Sequence, residues 1–100
     1  MDNEAKEERR QFPRYPFKEE ILINGISNAY SLNICEDGMF VCTLISPEKG
    51  SVLNLTIASQ LTVKAEVKHH QPGIGMGVQF VDLTRDQEAK IKHIIENLKG

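Results

Sequence analysis

Leu61-Thr62-Val63-Lys64-Ala65-Glu66-Val67-Lys68 alternates apolar and polar side chains without a break, and six residues on, Ile74, Met76, Val78 and Phe80 resume the same period. An alternation of two belongs to a strand with one dry and one wet face, not to a helix. Between the two runs lies Gln71-Pro72-Gly73, a turn signal, so 61–80 reads as a β-hairpin. Working outward, Leu53, Leu55 and Ile57 alternate with Asn54 and Thr56, and Tyr30, Leu32 and Ile34 with Ser31, Asn33 and Cys35. With Phe17 to Ile23 and Met39 to Leu44 this makes about six strands, separated by turn residues at Asn24-Gly25, Glu36-Asp37-Gly38 and Pro47 to Gly50. Regular spacing of this kind predicts an all-β chain, a six-stranded antiparallel barrel or sandwich.

After the last strand the period changes to that of a helix. Thr84-Arg85-Asp86-Gln87 has the form of a capping box, and Ile91, Ile94, Ile95 and Leu98 recur at helical spacing. A C-terminal α-helix is therefore expected over about 85–98. At the other end MDNEAKEERR carries four acids and three bases with nothing large and apolar after the initiator Met, so residues 1–8 read as a mobile charged tail. Pro13 and Pro16 exclude a helix in QFPRYPF and impose an extended path. One domain is expected over 9–100.

The chain has 100 residues, a length that builds one core and leaves no room for a second. Twelve basic and 14 acidic residues leave a net charge of -2, which argues against an unspecific DNA or RNA binder. No apolar run is long enough to insert into a membrane, and the charged N-terminus does not resemble an export signal. A cytoplasmic protein with reduced cysteines at 35 and 42 is the expectation.

Arginine is distributed unevenly. Three of the four arginines are Arg9, Arg10 and Arg14, whereas lysine supplies the other basic charge except Arg85. A guanidinium is planar, keeps its charge and forks onto phosphate or stacks on a purine, and lysine offers only the charge. The competing reading is a solvated tail in which Arg pairs with neighbouring Glu.

The hairpin at 36–38 can be argued in register. A three-residue loop with Gly38 in the left-handed conformation would pair Cys35 with Met39, Ile34 with Phe40 and Leu32 with Cys42. Leu32, Ile34, Phe40 and Cys42 would then face the core, and Asn33 and Cys35 would face outward. The two thiols would lie on opposite faces, which excludes a disulfide.

Three segments taken together resemble the PilZ domain family. Arg10-Gln11-Phe12-Pro13-Arg14 matches R-x-x-x-R, and Asn33-Ile34-Cys35-Glu36-Asp37-Gly38 matches [D/N]-x-S-x-x-G except at Cys35. Gly75-Met76-Gly77-Val78-Gln79-Phe80 is similar to the late G-x-G-V-x-F strand. The resemblance covers residues 9–98. It implies a six-stranded antiparallel barrel and a ligand, cyclic diguanylate, held by Arg9, Arg10, Arg14, Asn33, Cys35 and Gly38. It further implies a bacterial second-messenger receptor, not an enzyme, that passes ligand occupancy to a partner protein by closing its Arg-rich arm. Arg9, just before R-x-x-x-R, is the family's pointer to a stacked ligand dimer. Cys35 stands where the family has serine, so a hydroxyl contact worth ~1 kcal/mol is replaced by a weak thiol donor. The alternatives are a degenerate PilZ-like interaction module that binds no nucleotide, and a thiol sensor built on Cys35.

Other features carry less. Gly73, Gly75 and Gly77 do not form a dinucleotide-binding pattern and read as turn and close-packing glycines. His69 and His70 are adjacent on a strand and point to opposite faces, so no shared metal is expected, nor any cofactor.

Overall fold

The computed structural model describes residues 12–99. The expected mobile tail 1–8, together with Arg9 and Arg10, lies outside them.

Among the described residues, seven strands and one helix follow in order: β1 (Tyr15–Pro16), β2 (Glu20–Ile23), β3 (Ser27–Cys35), β4 (Gly38–Cys42), β5 (Val52–Ile57), β6 (Leu61–Gln71), β7 (Gly75–Val81) and α1 (Arg85–Lys99). All neighbours are antiparallel, in the order β1-β3-β2-β5-β6-β7-β4, and β4 returns to pair with β3. That last pairing closes β2 to β7 into the expected six-stranded barrel, with no exposed edge between β4 and β3. The short β1 is an addition: Tyr15 pairs with Ile34 and Pro16 with Asn33, so the proline-stiffened segment lies along β3 as a seventh strand.

The alternation of 61–67 does what its period requires. Leu61, Val63, Ala65 and Val67 are buried, as are Met76, Val78 and Phe80 opposite them, and Leu53, Leu55 and Ile57 on β5. Ile74 departs from the pattern; it is exposed at the β6–β7 turn and the strand begins at Gly75. Thr84 caps α1 as its sequence suggests. The Thr84 N–H donates to Gln87 Oε1 (2.8 Å) and the Gln87 N–H to Thr84 Oγ1 (3.1 Å). Gln87 Nε2 also donates to the Thr62 carbonyl (2.9 Å), which fastens the helix start to β6. Ile91 and Ile95 are buried against the barrel and Ile94 is partly so.

The β3–β4 hairpin corrects the expected register. Cys35 pairs with Gly38, Ile34 with Met39 and Asn33 with Phe40, so the loop has two residues, Glu36 and Asp37. Gly38 is an ordinary strand residue; its φ is not positive. It also pairs with Gln79 of β7, and a Cβ there would run into the Val78 carbonyl oxygen. The glycine is needed for barrel closure, and the closing ladder overrides the local turn preference. Farther along, the register slips between Ser31 and Asn33, a bulge at Leu32.

The bulge changes which side chains face inward. Ala29 and Ser31 are buried before it and Ile34 after it, while Leu32 is 50% exposed. Met39 and Val41 enter the core in place of Phe40 and Cys42, which are only half-buried on the outer face. Both cysteines therefore lie on the outer side of the barrel, contrary to the expectation of opposite faces. They are free thiols. With Cys35 paired to Gly38, Cys42 lies four residues farther along β4, or about 13 Å at strand rise, too far for a disulfide.

Ser31, beside the bulge, ties β3 to the segment between β1 and β2. It is 1% exposed, its Oγ–H donates to the Phe17 carbonyl (2.6 Å), and the same oxygen accepts from the Glu19 N–H (3.0 Å). Backbone groups freed where the chain passes from β1 to β2 are satisfied in this way.

Candidate functional site

The outer face of the β3–β4 hairpin carries the motif residues because β1 lays the arginine segment against it. Tyr15 opposite Ile34 brings Arg14, one residue earlier, beside Asn33 and Cys35. Arg14 Nη1 donates to Asn33 Oδ1 at 2.9 Å, nineteen residues apart in sequence. Arg14 is exposed, so the rest of its guanidinium keeps donors for an incoming anion.

Cys35 shares the outer face with Asn33 but is 3% exposed. Its Sγ–H donates to Asp37 Oδ1 at 2.9 Å. Burial, and then the Asp37 bond, push the thiol above its ordinary value of 9.0, outweighing the nearby Arg14 charge, which lowers it. The neutral thiol prevails at physiological pH, so the side chain can offer one weak donor and no thiolate nucleophile.

An open cleft of about 690 Å³ runs across this face, lined by Phe12, Pro13, Arg14, Cys35, Asp37 and Gly38 on one side. On the other side stand Lys68, His69, Gly77, Val78 and Gln79 of the β6–β7 hairpin. The volume lies within the range of pockets that hold small-molecule ligands. Three of the expected site residues line it, and Asn33 stands beside it, fixing Arg14. Arg9 and Arg10 fall outside the described residues.

The far wall was not among the expected site residues. A bulge between Val67 and His69 breaks the β6 alternation, so Lys68 and His69 are both exposed. The signal was present in the sequence as the end of the alternation after Val67, where the four polar residues Lys68 to Gln71 follow one another. His70 turns inward opposite Met76, and among the described residues its Nε2 is buried without a hydrogen-bond partner. No group of His, Cys, Asp and Glu with metal-binding geometry occurs among the described residues.

A second cleft, of about 590 Å³, lies between α1 and the barrel, with Phe17, Ile57, Leu61, Ile94 and Leu98 in its walls. Its lining is mainly apolar and among the described residues contains Lys90 but no arginine, so it suits a phosphate-bearing ligand less well than the first cleft. No helix among the described residues is long and apolar enough to cross a membrane.

Comparison with protein families matches residues 8–97 to the PilZ domain. No curated protein matches the chain.

Proposed function

We propose that this chain, which belongs to the PilZ domain family over residues 8–97, is a receptor for cyclic diguanylate that binds the dinucleotide in the cleft on the outer face of the β3–β4 hairpin. PilZ domains are binding and adaptor modules, and as a family they are receptors for this second messenger. Arg10 and Arg14 take the guanines and phosphates, and Arg9 extends the same arm. Asn33 orients Arg14, and Gly38 keeps the hairpin close to β7. The observation that carries this reading is the 2.9 Å bond from Arg14 to Asn33, which joins the two motifs at the mouth of one cleft.

A dianion with two flat guanine faces asks for forked cations and stacking surfaces, and a guanidinium supplies both. Ligand contacts that exist only with the arm folded over the cleft shift the arm toward that arrangement. The changed surface is what a partner protein in the cytoplasm reads; no metal, nucleic acid or lipid takes part.

Calorimetric titration with cyclic diguanylate tests the reading. Arg10→Ala and Arg14→Ala should each weaken binding by roughly 10- to 150-fold, the range for losing a hydrogen bond to a charged group. A second reading, a nucleotide-independent interaction module, is favoured by one observation: the Cys35 thiol is already spent on Asp37. A wild-type protein that takes up no ligand would establish it.

A further inference from the structure

Building on that reading, we infer that His69 is the base-stacking platform of the ligand cleft, a role set by the β6 bulge and by Gly77 and lying outside both sequence motifs.

Three features place the ring. The register slip after Val67 makes His69 the outward partner of Gly77. The imidazole then lies over the Gly77 backbone, where a Cβ would come within 2.8 Å of Nε2 and closer still to Cε1. Phe40, on β4 at the other side of Gly77, braces it from the side, with ring centroids 6.4 Å apart and planes tilted by 36°. A glycine beneath and an aromatic neighbour beside it hold the ring in one attitude without covering it. His69 remains exposed and forms part of the cleft wall together with Lys68 and Gln79.

This arrangement fits a purine better than a sugar or a simple phosphate. A flat, held aromatic ring offers a π-face to a base at little cost in side-chain freedom. Arg14, in the same cleft, offers a second planar surface, so a guanine can lie between an imidazole and a guanidinium. Lys68 adds a cation beside the ring, in a loose 3.7 Å pair with Glu66 that a phosphate can displace. Gln79, two residues from Gly77 on the same face, presents an exposed amide for a base edge.

The test compares His69→Ala, His69→Phe and wild type in calorimetric titrations with cyclic diguanylate, alongside Arg14→Ala. Stacking predicts about five- to fifteen-fold weaker binding in His69→Ala, the lower part of the range for one base on an aromatic ring, and wild-type affinity within about twofold in His69→Phe. The ring protons of His69 should also move upfield when ligand is added, as the guanine ring current requires. Wild-type affinity in His69→Ala, with Arg14→Ala impaired, would overturn the inference and leave the functional reading intact. Equal losses in the Ala and Phe variants would overturn it too, by showing a polar contact instead of a stack. Absence of ligand uptake by the wild type would overturn the functional reading and this inference together. Melting curves identify any variant whose loss comes from misfolding.

Discussion

Replacing Cys35 by serine restores the residue type that the motif carries in the family, at a position where the structure allows its consequences to be worked out. The thiol is 3% exposed and donates to Asp37 Oδ1 at 2.9 Å. A hydroxyl is the stronger donor, and hydrogen bonds to a charged acceptor contribute about 1.5–3 kcal/mol where a thiol bond contributes less. Against this, oxygen is smaller than sulfur and leaves a slight gap. The net effect on folding should lie between about 0 and 1 kcal/mol in favour of serine, or a rise in Tm of up to roughly 8 °C for a domain of this size. Binding should change in the same direction. The serine hydroxyl can donate to Asp37 and still present lone pairs to a guanine N–H, or turn its proton to a phosphate. Up to about tenfold tighter binding of cyclic diguanylate follows, equivalent to about 1.4 kcal/mol. Calorimetry on wild type, Cys35→Ser and Cys35→Ala reads this directly. Equal affinity in all three proteins, with Arg14→Ala impaired, would refute the reasoning, because position 35 would then not touch the ligand. Cys42→Ser is the comparison: that side chain is half-buried on the outer face, so little change in either quantity is expected.

Gly38→Ala should lower Tm by about 5–15 °C in a thermal melt. The Cβ meets the Val78 carbonyl, an overpacking cost of about 1–3 kcal/mol only partly offset by a stiffer unfolded chain. Ser31→Ala strands the Glu19 N–H and the Phe17 carbonyl and should cost about 1–3 kcal/mol in urea denaturation; an unchanged midpoint would mean that water replaces the hydroxyl. The Cys35 thiol has its folded pKa above the ordinary 9.0, so its contribution to stability is complete below pH 9 and is lost as pH rises through the folded value. In a Cys42→Ser background, alkylation by iodoacetamide at pH 7.5 should accordingly run much slower than in urea, and equal rates would contradict the buried, hydrogen-bonded thiol.

What could be read from the chain, and what could not, divides along physical lines. The period-two runs on β5, β6 and β7 are legible because every second side chain enters a closed barrel, so burial writes itself into the alternation. The capping box at Thr84 and Gln87 is legible because both of its bonds are local. The bulge at Leu32 is not, because it is a matter of how β3 meets β4 on one side and β1 and the Phe17 carbonyl on the other, contacts distant in sequence. Local turn chemistry gave Gly38 a left-handed role, whereas its true reason is the Val78 carbonyl forty residues on. The β5–β6 turn escaped notice because Ala58 and Ser59, with φ of 54° and 60°, take conformations usually left to Gly or Asn. In the site, Arg14 and Asn33 were legible as motif residues and do meet; Lys68 and Gln79 lie on the outward face of the alternating strands, but His69 joins them only through a second bulge.

The most direct test is a ¹H–¹⁵N spectrum of labelled protein titrated with cyclic diguanylate. Saturable shifts are predicted at Arg14, Asn33, Cys35, Gly38 and His69, with little change along the apolar cleft at Ile57, Ile94 and Leu98. A spectrum unmoved by excess ligand, or shifts confined to the α1 cleft, would contradict the account.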